Sequence, residues 1–135
     1  MKKLFFLLLI LILLAGCQSK PATGETVTIA SGSYQNASVA DLQTLLKNKD
    51  FVFVNVHIPF AGNIPDTDLS IPYDEIGQNL SRLPSDKNAK IVLYCRSGRM
   101  SEIAAEKLVS LGYTNVWNVT GGMIDWEQAG LELEK

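Results

Sequence analysis

The chain has 135 residues, a formal net charge of −2 and a mean hydropathy of +0.12. That is the length of one ordinary domain, and its slightly acidic balance argues against nucleic acid as a partner. Two cysteines and one histidine leave a four-ligand structural zinc site short of donors.

The chain opens on the basic Met1-Lys2-Lys3, followed by an unbroken apolar run of twelve residues from Leu4 to Ala15. At ~1.5 Å per helical residue the run covers roughly 18 Å, short of the ~30 Å hydrocarbon core. It therefore reads as an export signal rather than a permanent span. Leu14-Ala15-Gly16-Cys17, at the end of the run, resembles the lipobox of bacterial lipoproteins, in which the signal is cut before the cysteine and that cysteine is lipidated. The resemblance implies a signal peptide at 1–16, lipidation at Cys17, and an exported protein anchored to the cell membrane. Cleavage there leaves 119 residues. Loss of Lys2 and Lys3 takes the Lys+Arg count from 12 to 10 against 14 Asp+Glu, so the charge moves from −2 to −4. Lipidation consumes Cys17 and leaves Cys95 unpaired. A lone thiol in a compartment that favours disulfides marks a reactive or intermolecular sulfur.

Gln18 to about Ser33 is small and polar, with Pro21, Gly24 and Gly32. It reads as a membrane tether, giving a lipidated N-terminus and tether at 17–35 and a folded domain at 36–135. Within it, Thr26-Val27-Thr28-Ile29 has the composition of a first short strand. Ser38-Val39-Ala40-Asp41 has the spacing of a capping box, and Val39, Leu42, Leu45 and Leu46 share one helical face up to the stop at Asn48-Lys49-Asp50. Phe51 to Val56 is a β-rich apolar run suited to a strand buried on both sides. Pro59, Gly62 and Pro65 break the next stretch into loop. Ile71-Pro72-Tyr73 reads as a short extended piece, and Glu75 to Leu83 as a helix ended by Pro84. Lys90 to Tyr94 is a second buried strand. Met100 to Leu111 is the best helical pattern, with Ile103, Ala104, Leu108 and Leu111 on one side and Gly112 as its stop. Val116 to Val119 is a third strand, Gly121-Gly122 a hinge, and Met123 to Gln128 a short helix. Strands alternating with helices predict an α/β domain with a mainly parallel sheet.

In such sheets the sites lie beyond the carboxyl ends of the strands, where this reading puts Cys95. The following helix start offers unpaired N–H groups and a partial positive charge. Gly98 lets the backbone curl those donors inward, and Arg96 and Arg99 add full charges. Together they favour a thiolate at Cys95 and a cradle for an anion. The competing reading is a buried structural cysteine. Trp117 and Trp126 read as core or pocket cover, and Asp66, Asp68, Asp74 and Glu75 as solvated loop charges, with Asp74 or Glu75 also favourable in the first turn of a helix.

The stretch "YCRSGRMSEIAAEKLVSLGYTNVWNVTGGMIDW", Tyr94 to Trp126, resembles the carboxyl half of a single-domain rhodanese, a sulfurtransferase. Phe51 to Ile76 resembles the upstream half, and the likeness runs from about Ser38 to Gly130. It implies a three-layer α/β fold whose mainly parallel central sheet is flanked by helices. It also implies a six-residue loop, Cys95-Arg96-Ser97-Gly98-Arg99-Met100, with Ser101 entering the helix. Cys95 is then the catalytic nucleophile and carries a persulfide, while Arg96, Ser97, Gly98, Arg99, Met100 and Ser101 bind substrate. The implied partners are a small anionic sulfur donor such as thiosulfate and a thiol, cyanide or protein acceptor, with no metal or organic cofactor. The Gly121-Gly122-Met123 segment with Trp126 matches the family's ending. The upstream half departs: the family's Asp-Val-Arg is replaced by Asn55-Val56-His57, so its ion pair cannot form, and His57 takes the arginine position at the pocket, either as a weak, pH-dependent positive charge or as a packing and hydrogen-bonding group. That departure motivates the alternative of a catalytically weak sulfur-carrier or protein-binding module. Phosphatase chemistry fits less well, because the loop is one residue short and its arginine comes early, at Arg99.

Overall fold

A computed structural model describes residue 16 and residues 20–135 of the chain. The expected signal segment, Gly16 apart, and Cys17 lie outside the described residues. A six-stranded sheet runs in the order β1-β2-β6-β5-β3-β4. Its strands are β1 (Glu25–Ile29), β2 (Gly32–Ala37), β3 (Val52–Asn55), β4 (Leu69–Ser70), β5 (Ile91–Tyr94) and β6 (Val116–Val119). Among these strands only β1 is antiparallel to its neighbour; the pairs from β2 to β4 are all parallel. The helices are α1 (Val39–Lys47), α2 (Arg99–Ser110) and α3 (Gly122–Gln128).

The three layers follow from strand alternation. On β5, Ile91 and Leu93 face one side and join a core with Ala104, Ala105, Leu108 and Val109 of α2. Val92 and Tyr94 face the other side and pack with Leu42 of α1 and Met123 and Trp126 of α3. All four β5 residues are buried, as a strand covered on both faces requires. The capping box at α1 is present in full: the Ser38 N–H donates to Asp41 Oδ2 at 3.0 Å, and the Asp41 N–H donates to Ser38 Oγ at 3.1 Å. The mainly parallel sheet flanked by helices is the fold that the sequence predicts.

Several details differ from expectation. The stretch 25–37, given mostly to a tether, is a β-hairpin, with Glu25 opposite Asn36 and Ile29 opposite Gly32. β2 shows no apolar alternation; it is a strand because its backbone completes the β6 ladder. The helix expected from Glu75 to Leu83 is instead two short 3-10 helices, Tyr73–Gln78 and Leu80–Arg82. Gly77 weakens an α-helix there, and the Asn79 side chain donates to the Glu75 carbonyl at 2.9 Å, taking an acceptor the helix would need. On α2 the buried stripe is Ser101, Ala104, Ala105, Leu108 and Val109, while Ile103 is 38% exposed. Finally, Asp68 is no free loop charge: its Oδ2 accepts from the Phe53 N–H at 2.8 Å and from Lys49 Nζ at 2.7 Å, tying the approach to β4 onto β3.

Candidate active site

Cys95 continues the Ile91 and Leu93 side of β5 and lies directly beyond the strand's carboxyl end, against the start of α2. It is 1% exposed. Its Sγ accepts a hydrogen bond from the Gly98 N–H at 3.0 Å. The Ser101 hydroxyl lies 3.5 Å from Sγ and 3.1 Å from the Gly98 carbonyl, one proton between two acceptors. Gly98 is the N-cap of α2 with φ +101°. That backbone conformation suits glycine, and it turns the N–H toward the sulfur. A Cβ there would also lie 3.1 Å from the Gly121 nitrogen.

The loop is held from behind by α3. The Met123 N–H donates to the Cys95 carbonyl and the Ile124 N–H to the Arg96 carbonyl, both at 3.0 Å. These bonds take up the outward carbonyls of the loop. Gly122, at φ +48°, makes the close approach possible, since an added Cβ would collide with the Cys95 carbonyl. The Gly-Gly pair is thus less a hinge than a docking surface for the cysteine loop.

The remaining loop residues separate by exposure. Arg96 and Ser97 are exposed. The Arg99 side chain is 73% exposed, with Nη1 3.6 Å from Glu102 Oε1. Met100 is half-buried against the α2-side core, and Ser101 is fully buried. The two arginines therefore add exposed positive charge to the loop, while the polar groups nearest the sulfur are a backbone N–H and a hydroxyl.

The Asn55-Val56-His57 departure has a physical account. Asn55 is 2% exposed. Its Nδ2 donates to the Gly62 carbonyl at 3.0 Å and to Asn63 Oδ1 at 2.9 Å, and its Oδ1 accepts from the His57 N–H at 3.0 Å. An aspartate could keep the last bond but not the first two. The buried Tyr94 hydroxyl extends this network, accepting from the Ile64 N–H at 3.0 Å and lying 2.6 Å from Thr67 Oγ1. Sequence reading missed these groups; the asparagine at position 63 paired with the one at 55 was the available signal. Asn55→Asp is expected to lower stability by about 3 kcal/mol, because a buried carboxylate would face two acceptors. Urea unfolding would read this as a lower midpoint at unchanged m.

His57 is half-buried. Burial, and then the Arg96 charge, hold its imidazole below the ordinary value of 6.5. A histidine depressed in the folded state is neutral at pH 7 and supplies no resting positive charge. Above the unfolded value both states are neutral; as pH falls through it the unfolded chain binds the proton first, and stability is lost. Since this is the chain's one histidine, the thermal midpoint of the wild type is expected to fall more than that of His57→Asn between pH 7 and pH 5.

Similarity to known proteins agrees with this geometry. Residues 29–129 match the rhodanese-like domain, and residues 1–18 match the prokaryotic membrane lipoprotein lipid attachment site. The chain belongs to the rhodanese-like domain family. The N-terminal match makes it an exported, membrane-anchored lipoprotein. A protein named sulfurtransferase from Allochromatium vinosum is 36% identical over 94 residues, 67% of this chain and 85% of that protein. The crystal structure of a rhodanese-like domain protein from Staphylococcus aureus is 31% identical with a TM-score of 0.61, covering 74% of this chain and 98% of that one. A tRNA uridine(34) hydroxylase from Erwinia tasmaniensis is 32% identical over 75% of this chain, but the match spans only 30% of that protein. The shared unit is the domain, and sulfur transfer is the class of chemistry these relatives support.

Proposed function

We propose that the domain is a sulfurtransferase, held at the membrane by a lipid on Cys17, that moves a sulfane sulfur from an anionic donor such as thiosulfate to a nucleophilic acceptor. The observation that carries the reading is the inward turn of the Gly98 N–H and Ser101 hydroxyl onto Cys95 Sγ. The Cys95 thiolate attacks the outer sulfur of the donor. A new S–S bond forms, the bond to the sulfonate sulfur breaks, and sulfite leaves with the electron pair. The outer sulfur of the resulting persulfide is then attacked by cyanide, a thiolate or a protein thiol, and the Cys95 thiolate is restored. No electrons are gained or lost overall, so no redox cofactor is needed.

The Gly98 N–H and Ser101 hydroxyl stabilise negative charge on sulfur at both stages. Arg96 and Arg99, exposed on the loop, draw in and orient the anionic donor. The outward course of Arg99, toward Glu102, favours sulfur over a phosphoryl group, which needs a guanidinium aimed at the loop centre. Two-step transfer predicts ping-pong kinetics, with parallel double-reciprocal lines for thiosulfate and cyanide. Converging lines would oppose a free persulfide intermediate. Ser101→Ala is expected to lower kcat about tenfold or more while leaving the donor KM near wild type, because its hydroxyl lies beside the reacting sulfur and can turn to it as charge develops, and does not meet the donor's charge.

A further inference from the structure

We propose that the loop tip Ile58-Pro59-Phe60 seats in the headgroup layer of the membrane that carries the anchor, turning the carboxyl end of the sheet, with the Cys95 loop, toward the bilayer. The inference rests on lipid attachment at Cys17. Its first ground is exposure. Phe60 is 61% and Ile58 36% exposed, with exposed Pro59 between them. Three adjacent apolar residues left in water at a loop tip call for a cover.

The second ground is position. β3 ends at Asn55, so this loop leaves the sheet at the same end as the Cys95 loop, which follows β5 in parallel register. Because β1 is antiparallel, Glu25 lies opposite Asn36, which lies opposite Asn118 near the carboxyl end of β6. The chain from the anchor therefore enters the domain at that same end. Four interstrand steps separate β1 from β3, roughly 19 Å at ~4.8 Å each.

The third ground is the length of the connection. The chain at Lys20 to Thr23 already lies against the first turns of α1, where Lys20, Pro21 and Thr23 line one cleft with Ala40, Asp41 and Thr44. Cys17 stands three residues before Lys20, a span of at most about 10 Å even when extended. A lipidated Cys17 therefore keeps the carboxyl end of the sheet close to the interface, within lateral reach of the apolar tip. Exposed Arg96 and Arg99 at that end favour anionic headgroups, although Glu102 offsets part of the Arg99 charge.

The test uses the mature lipidated chain, from Cys17 onward, with Phe60→Trp, in vesicles of phosphatidylethanolamine and phosphatidylglycerol. Bromine is placed on the acyl chains just below the headgroups, and the wild-type spectrum is subtracted to remove Trp117 and Trp126. The expected result is a blue-shifted indole that loses roughly half its intensity with brominated lipid, as for a group ~5–10 Å into the interface. If the chain sediments with the vesicles but this indole is neither shifted nor quenched, the proposal is overturned while the anchor reading stands; the tip is then left for a protein partner. If the chain does not sediment with vesicles and its mass lacks the lipid, the anchor reading fails and this proposal fails with it.

Discussion

Cys95→Ser is expected to reduce thiosulfate:cyanide sulfur transfer to background, a loss of at least about three orders of magnitude. The hydroxyl is a far weaker nucleophile than the thiolate and cannot carry a transferable sulfur. The substitution is otherwise gentle. Serine is smaller than cysteine, and its oxygen can still accept from the Gly98 N–H and lie beside the Ser101 hydroxyl. The unfolding free energy is therefore expected to stay within about 1 kcal/mol of wild type. Steady-state assay and urea unfolding of the same sample separate the two effects. Turnover retained within tenfold would remove Cys95 from the chemistry, and a large fall in stability would make it a core residue first.

Gly122→Ala is expected to damage both the fold and the site. The added Cβ would meet the Cys95 carbonyl carbon and oxygen, which are backbone atoms with nowhere to retreat. It would also place a substituted residue at φ +48°, which costs about 1 kcal/mol. Relief of the clash requires α3 to back away, lengthening the bonds from Met123 and Ile124 to the cysteine loop. The combined cost is roughly 3 kcal/mol or more, read as a drop in thermal midpoint of about 10 °C. Activity is expected to fall further than stability explains, because the loop that aims the Gly98 N–H loses its backing. Full activity in a Gly122→Ala variant of normal stability would show that the docking of α3 is not what shapes the loop.

The path from β5 into α2 was legible because each signal is local. A four-residue apolar strand, a glycine at the turn and a helix-length stretch with a glycine stop follow one another within the span from Ile91 to Gly112. The composition of Thr26 to Ile29 marked β1, but β2 and its pairing were not legible, because Tyr34 and Ala37 are the only buried side chains in β2. Its order comes from main-chain pairing with β6, a partner more than eighty residues away. The helical face of α2 was misjudged for a related reason. Ile103 outranks Ala105 in hydrophobicity, but the side nearest the sheet must be small, and it is Ala104 and Ala105 that fit there.

At the site, the cysteine and its glycine were legible from sequence, but their surroundings were not. Charge is prominent in sequence, so Arg96 and Arg99 drew attention, yet both residues are exposed. Backbone donors have no letter of their own, so the Met123 and Ile124 N–H groups were invisible until α3 was placed. The loss of the Asp-Val-Arg segment reads as damage in sequence. In the fold it is a substitution of one bracing scheme for another, in which Asn55, Asn63 and Tyr94 hold the loop through neutral hydrogen bonds.

The central claim is that Cys95 carries a transferable sulfur, and intact mass reads it most directly. The chain from Gln18 onward would be weighed before and after thiosulfate, and again after cyanide. The account predicts a gain of about 32 Da, one sulfur atom, that cyanide removes and that Cys95→Ser never shows. No gain from thiosulfate, with Cys95 still open to a thiol reagent, would contradict it and leave the domain as a binding module built on the same fold.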